Sequence, residues 1–264
     1  MQHKLRRYFK LYMICLRTLF IAETAYRLNF ILGMIITFIS NILFPLVTLL
    51  IYANGQSFPD WNFWQVLLIQ SIFTLSTGIS NTFFAGIFWE TNTNIKNGSF
   101  EVILLKPVNP LFFIMATTFN FQGIAYIIGG LIMFCISASH CIFFTLDSIL
   151  NFLLFGTGGI LVMLGMELMM SATSFKWIGN SRIPEIFDSI KQFAKYPMTI
   201  FPSLARVITT FVLPAAAIAF MPAAALMGKT EPWFYTALIP CAIFACIGFL
   251  LYFKMIKLYE SAGG

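Results

Sequence analysis

The stretch LNFILGMIITFISNILFPLVTLLIY, residues 28–52, carries no charged side chain. A helical crossing of a bilayer needs about 20 consecutive apolar residues, so this block reads as a membrane span. Pro45 lies inside it and is expected to bend it. Working outward, similar blocks run from Phe63 to Phe88, Phe112 to Ser139, Ile149 to Ser174 and Trp233 to Phe253. The chain of 264 residues is 59% hydrophobic and 10% charged, whereas soluble domains carry about 25% charge. The fold class expected is an all-α membrane protein with six transmembrane helices. One transmembrane domain fills residues 1–264 and leaves no room for a soluble nucleotide-binding or catalytic domain of about 100–150 residues.

Residues 1–20 read as an amphipathic interfacial helix. Leu5, Phe9, Tyr12, Leu16 and Leu19 recur at helical spacing, with Arg6, Lys10 and Arg17 off that stripe. An apolar face flanked by cations lies in the headgroup layer of an anionic leaflet. A basic start followed by apolar residues also imitates a signal peptide, but Arg17 interrupts the apolar run, and this end is expected to be retained.

The fifth crossing has two readings. Hydropathy alone selects Val207–Met227, which contains Pro214 and Pro222. The other reading makes Ile183–Phe201 the crossing and turns residues 207–228 into a re-entrant hairpin on the outer side, before the last span. That choice puts Asp188, Lys191 and Lys195 into a spanning helix, where an unpaired charge costs about 2.5–3.5 kcal/mol. Asp188 and Lys191 are spaced to pair on one helix face.

Basic residues set the expected orientation. Lys4, Arg6, Arg7, Lys10, Arg17 and Arg27 precede the first span, Lys96 and Lys106 follow the second, Lys176 and Arg182 the fourth, and Lys254 and Lys257 the last. The loops around Asp60 and Asp147 lack Lys and Arg. A multi-pass protein of the plasma membrane with both termini in the cytoplasm is expected. The net charge of +6 is spread over helix ends rather than gathered on one module, so nucleic acid is not an expected partner.

Chemistry is sparse. His3 and His140 have no carboxylate or second histidine at metal-ligand spacing. Cys15, Cys135, Cys141, Cys241 and Cys246 form no Cys-x-x-Cys pair and are expected to pack. Gly228-Lys229-Thr230 resembles the end of a phosphate loop, but Ala223 stands where that motif requires glycine. No catalytic, metal or cofactor site is expected in this chain, and it is not read as an enzyme. Glu167 is the one carboxylate deep in an apolar span. It reads either as a pathway or helix-locking residue or as a group near enough to the inner end to meet water or Lys176. Asp188 and Lys191 join it as candidates. Gly129 and Gly130, and Gly158, Gly159 and Gly165, are expected to let helices approach closely.

Residues 94–110 read NIKNGSFEVILLKPVNP. Asn97-Gly98 signals a turn, Ser99 is placed to cap a short helix, Pro107 ends it and Pro110 opens the next span. Phe100, Ile103 and Leu104 are expected on one side. A short amphipathic rod in this place suits a groove on a cytoplasmic partner, or rests on lipid.

The run Gly98-Ser99-Phe100-Glu101, then Leu104-Leu105-Lys106-Pro107-Val108-Asn109-Pro110, resembles the coupling region of short six-helix permeases of the type-2 ABC exporters. Tyr196-Pro197, Ile200-Phe201-Pro202, Leu213-Pro214 and Met221-Pro222-Ala223 resemble the same group. The resemblance implies that Gly98, Phe100, Glu101, Leu104, Leu105, Lys106 and Pro107 couple to an ATPase. It implies an elbow helix at residues 1–20 and favours the re-entrant hairpin. The expected partners are two ABC ATPase subunits, which would bind ATP and Mg, a second identical or related permease chain forming a dimer, and membrane lipid. The expected function is ATP-driven export of a hydrophobic or amphipathic substrate, such as a drug-like cation, by alternating access. The alternative is a secondary transporter or channel subunit that works without an ATPase.

Overall fold

The computed structural model describes residues 2–142, 145–177 and 182–259, with side chains from Arg6 onward. The side chains of His3, Lys4 and Leu5 lie outside the described residues. Among the described residues the protein is helical throughout, without strands. In chain order the helices are α1 (Gln2–Ala25), α2 (Arg27–Ala53), α3 (Phe63–Phe83), α4 (Ala85–Lys96), α5 (Phe100–Leu104), α6 (Pro110–Thr117), α7 (Gly123–Cys141), α8 (Leu146–Ser174), α9 (Arg182–Gln192), α10 (Ser203–Val207), α11 (Phe220–Leu226), α12 (Trp233–Thr236) and α13 (Leu238–Lys257). Among the described residues, five stretches are long and apolar enough to span a membrane: Arg27–Ala53, Phe63–Lys96, Gly123–Cys141, Leu146–Ser174 and Trp233–Lys257.

The bundle is organised by close backbone approach. Helices α3 and α7 run antiparallel: Gly123 meets Thr82, Gly78 meets Tyr126 and Ile127, and Gly130 meets Leu75. Helices α8 and α13 run parallel: Gly158 faces Leu238 and Cys241, and Gly165 faces Phe244 and Ala245, with Phe155 beside Phe234 of α12 (ring centroids 5.7 Å apart) and Phe175, just past α8, beside Tyr252 (5.9 Å) at the two ends. Between these ends a Cβ on Gly165 would lie 3.0 Å from Phe244, and one on Gly248 would lie 2.8 Å from the Gly165 carbonyl. Only small residues let helices come this close, and dispersion replaces hydrophobicity as the adhesive in lipid. The glycines expected to pack do so, except that Gly129 makes only ordinary contact, with Phe38 at 3.6 Å. Helix α2 leans on α7 and leaves Leu28, Ile36, Leu43 and Leu50 on an exposed apolar face.

Three sequence expectations are corrected. The second apolar block does not end at Phe88 but continues to Lys96, interrupted at Phe84. The third is not one helix from Phe112: α6 stops at Thr117, and α7 starts at Gly123. The two interruptions sit side by side. Asn120 N–H donates to the Thr82 carbonyl at 3.1 Å, Phe83 and Phe119 rings meet at 5.3 Å, and Gly86 abuts Thr118. The Asn120–Thr82 bond pairs one backbone group from each break. Third, Cys135 and Cys246 are exposed on the bundle surface, whereas Cys241 is buried.

Neither reading of the fifth crossing is a single helix. Helix α9 is followed by 3₁₀ turns at Phe193–Lys195 and Met198–Ile200. Residues 203–227 form α10, a π turn (Ile208–Val212), a break at Leu213–Pro214, a 3₁₀ turn (Ala215–Ala217) and α11. Proline lacks the amide hydrogen that would continue the ladder. This broken run enters the core: Ala215, Ala216, Ile218, Ala219, Met221 and Ala223 are fully enclosed. The Ser76 hydroxyl donates to the Ile218 carbonyl at 2.9 Å. Gly159 lies against the Ala217 and Ile218 backbone. The run then returns, and Lys229 lies over Trp61, 4.3 Å from the ring.

Candidate functional site

Two places gather polar or functional side chains. The first is the short helix α5, at the end of the bundle where Phe175 and Tyr259 also lie. Helix α4 stops at Gly98, whose φ of 67° suits a residue without Cβ. Ser99 N–H donates to the Asn94 carbonyl at 2.8 Å and Gly98 N–H to Ile95 at 3.2 Å, the paired bonds of a Schellman stop. Ser99 does not cap α5 as expected. Its hydroxyl donates to Asn94 Oδ1 at 2.7 Å instead and ties the turn back to α4. Asn109 caps α6, accepting from Leu111 N–H at 3.0 Å and Phe112 N–H at 3.3 Å, while Pro110 occupies a first-turn position where no amide is needed.

The facing of α5 also differs from the expectation. Phe100 and Ile103 point inward, among Ile95, Ile114, Phe175 and Tyr259. Phe100 meets Phe175 at 5.0 Å and Tyr259 at 5.3 Å. Leu104 is on the outer side, with Glu101, Val102, Lys106 and Pro107 also exposed, and Leu105 is 84% exposed. Phe100 therefore anchors the helix, and the accessible apolar edge is Val102, Leu104 and Leu105. Burial, and after it the Glu101 carboxylate, raise the Tyr259 phenol above its ordinary pKa. Helix α1 runs past the same end. Its Tyr8 ring meets Phe112 at 4.6 Å, and Arg6, Lys10 and Arg17 are exposed.

The second place is a charged cluster between α8 and α9. Glu167, 4% exposed, has its Oε1 3.6 Å from Lys191 Nζ. The same ammonium lies 3.0 Å from Asp188 Oδ1, on the exposed side. All three residues that the sequence singled out meet here. Lys176 is not the partner of Glu167; it lies over the Trp177 ring at 5.2 Å. Asp188 and Lys191 of this cluster also line a groove of about 400 Å³ that opens between α2, α3 and the end of α9. Ser40, Asn41, Gln70, Thr74, Thr77 and Asn81 supply its polar wall, and Lys195 projects into it over Phe44 and Phe73. Thr74, Thr77 and Asn81 belong to the Ser-, Thr- and Asn-rich helix α3. Gln70 and Asn41 were missed, because single amides in apolar blocks give no periodic signal.

Among the described residues no group of three or more His, Cys, Asp or Glu comes together as a metal site. His140 stacks on Trp64, ring centroids 3.8 Å apart. Gly228 ends α11 with φ 70°, and Lys229 is engaged with Trp61.

Several apolar spans and a short helix anchored after the second of them describe a multi-pass membrane protein. A family model described as ABC-2 family transporter protein matches residues 34–263. The chain belongs to the ABC-2 transporter family. Curated proteins and solved structures give no match. This ABC-2 family member is a multi-pass membrane protein, and permeases of the family generally work with ATPase subunits.

Proposed function

We propose that this chain is the permease subunit of an ATP-driven exporter. It does no bond chemistry itself. Two ATPase subunits bind ATP and Mg and grip α5, and a second permease chain, identical or related, completes the pathway. Both termini face the cytoplasm of a cell whose plasma membrane holds the complex. ATP binds one arrangement of the assembly better than the other and so shifts the permease between inward-open and outward-open states. The substrate is hydrophobic or amphipathic.

The observation that carries this reading is the build of α5. Phe100 and Ile103 root it in the bundle, while Val102, Leu104 and Leu105 are left as an apolar edge too short to cross a bilayer. Rooting transmits a push, and the edge offers a surface to be pushed. The test is co-purification from detergent with an ABC ATPase co-expressed with this chain. Val102→Asp and Leu105→Asp should insert normally but lose the ATPase and ATP-dependent flux. ATP-independent flux by the purified chain alone in liposomes would overturn the proposal in favour of a secondary transporter.

A further inference from the structure

We propose that the groove between α2, α3 and the end of α9 binds an amphipathic oxyanion, with its phosphate or carboxylate paired to Lys195 and an adjacent O–H or N–H taken by Gln70. The inference rests on the permease reading and adds a ligand class to it, an anion rather than the drug-like cation that composition suggests.

Lys195 is the first argument. Its Nζ lies 4.4 Å from the Phe44 ring centroid and 5.1 Å from that of Phe73. No carboxylate among the described residues forms an ion pair with it. Asp188 and Lys191 line the same groove, but the Asp188 carboxylate is committed to Lys191 at 3.0 Å, and Lys191 is also held by Glu167. A cation in an apolar layer is costly unless a counter-charge joins it, and the groove leaves that counter-charge to a ligand.

Gln70 is the second and independent argument. It is 2% exposed and lines the groove. Its Nε2 donates to Thr48 Oγ1 at 2.7 Å, and the Thr48 hydroxyl donates to the Phe44 carbonyl at 3.4 Å. Thr48 must therefore accept from the amide nitrogen, which fixes which way the Gln70 amide points. Its Oε1 is enclosed and has no hydrogen-bond partner, and Thr77 Oγ1 on the same wall has none either. A buried amide oxygen without a donor is unstable relative to one that is paired. A ligand hydroxyl or amide hydrogen beside the anionic group supplies what is missing.

The apolar requirement comes from the walls. Phe44, Pro45 and Phe73 line the groove, and α2 continues outward as the exposed apolar face of Leu43, Leu46 and Val47. A hydrocarbon tail lies along that face while the head reaches inward. A simple organic cation would meet Lys195 already seated on the aromatic rings and find the Asp188 carboxylate of the groove already held by Lys191, and a neutral hydrocarbon would leave both Lys195 and Gln70 unpaired.

The test uses the full chain in phosphatidylcholine nanodiscs, without ATPase, and measures equilibrium binding of radiolabelled oleoyl lysophosphatidate. Dodecyl phosphate, inorganic phosphate and dodecyltrimethylammonium serve as competitors. Lysophosphatidate should bind saturably and more tightly than dodecyl phosphate, which lacks the neighbouring hydroxyl. Inorganic phosphate should compete weakly. Lys195→Gln should weaken binding by about tenfold or more, the scale of one charge-assisted hydrogen bond, with Lys195→Arg close to the wild type. Gln70→Met should remove the preference for lysophosphatidate over dodecyl phosphate. Unchanged binding in Lys195→Gln overturns the proposal, as does equal competition by dodecyltrimethylammonium or by inorganic phosphate. If Lys195→Gln is recovered unfolded, equal binding by wild type and Lys195→Glu, or failure of lysophosphatidate to bind the wild type, overturns it as well. ATPase co-purification of the Lys195 variants should stay normal, so failure of this site and failure of the exporter reading are read in different assays.

Discussion

Lys191 Nζ sits 3.6 Å from Glu167 Oε1, a contact between residues of two different helices, α8 and α9. Helix α9 buries none of its residues fully. The ion pair is therefore a principal tie between this polar helix and the bundle, and Asp188 completes it from the exposed side, 64% exposed at its side chain.

Removing Lys191 should hurt more than removing Glu167. Lys191→Met leaves the Glu167 carboxyl enclosed without a counter-charge, and breaking such a pair from one side costs about 3–5 kcal/mol. Glu167→Gln leaves Lys191 its Asp188 partner and should cost less. The double variant Glu167→Met with Lys191→Met should recover much of the loss. Thermal unfolding in detergent measures all three, and additive losses would refute the pairing.

Rooting and docking on α5 should separate by mutation. Phe100→Ala empties a fully enclosed aromatic site and should destabilise the chain by about 3–5 kcal/mol. Leu105→Asp, at an 84% exposed position, should leave the melting point within about 0.5 kcal/mol of the wild type while abolishing ATPase association. Melting curves and pull-downs from the same preparations decide it.

Two glycines of α8 should respond oppositely to alanine. At Gly159 the added methyl collides with the Ala217 carbonyl and lies 2.8 Å from Ile218 Cα, backbone that cannot swing aside. Overpacking of this kind costs about 1–3 kcal/mol. At Gly156 no atom lies within 4 Å, so alanine should gain about 0.5–1 kcal/mol of helix propensity. A destabilised Gly156→Ala would mean that another chain covers that face.

Arg206 should hold the turn between α9 and α10. It donates to the carbonyls of Met198 at 3.2 Å, Thr199 at 3.0 Å and Phe201 at 3.3 Å. Arg206→Met should raise hydrogen exchange across residues 196–202 while leaving α3 and α8 protected. Unchanged exchange there would show that the Trp61–Thr199 hydrogen bond, 2.7 Å long, suffices.

The membrane class was legible because length and apolarity are properties of a single block, and residues 28–52 show both. The Asp188–Lys191 pair was legible too, since three-residue spacing puts both on one helix face. The Glu167–Lys191 pair was not, because nothing local in α8 announces a partner on another helix. The breaks at Phe84 and at residues 118–122 were hidden for a different reason. Thr118, Asn120 and Gln122 mark the second break and Ser80, Asn81 and Thr82 precede the first, but scattered polar residues inside apolar blocks carry no turn signal of their own. The facing of α5 failed on its shortness: over five residues both Ile103 and Leu104 lie near Phe100, and the neighbouring Ile114 and Tyr259 decide which turns inward.

Because α3–α4 and α6–α7 are both interrupted at one height, joined there by Asn120 and Thr82, these two helix pairs are built in two storeys with a shared landing, beside the unbroken α2, α8 and α13. Straight rods would carry a thrust on α5 axially and lift the bundle as a block. Under the proposed coupling, a thrust on α5 would reach the far half of these pairs across that landing, which gives them the geometry of a lever rather than of a piston.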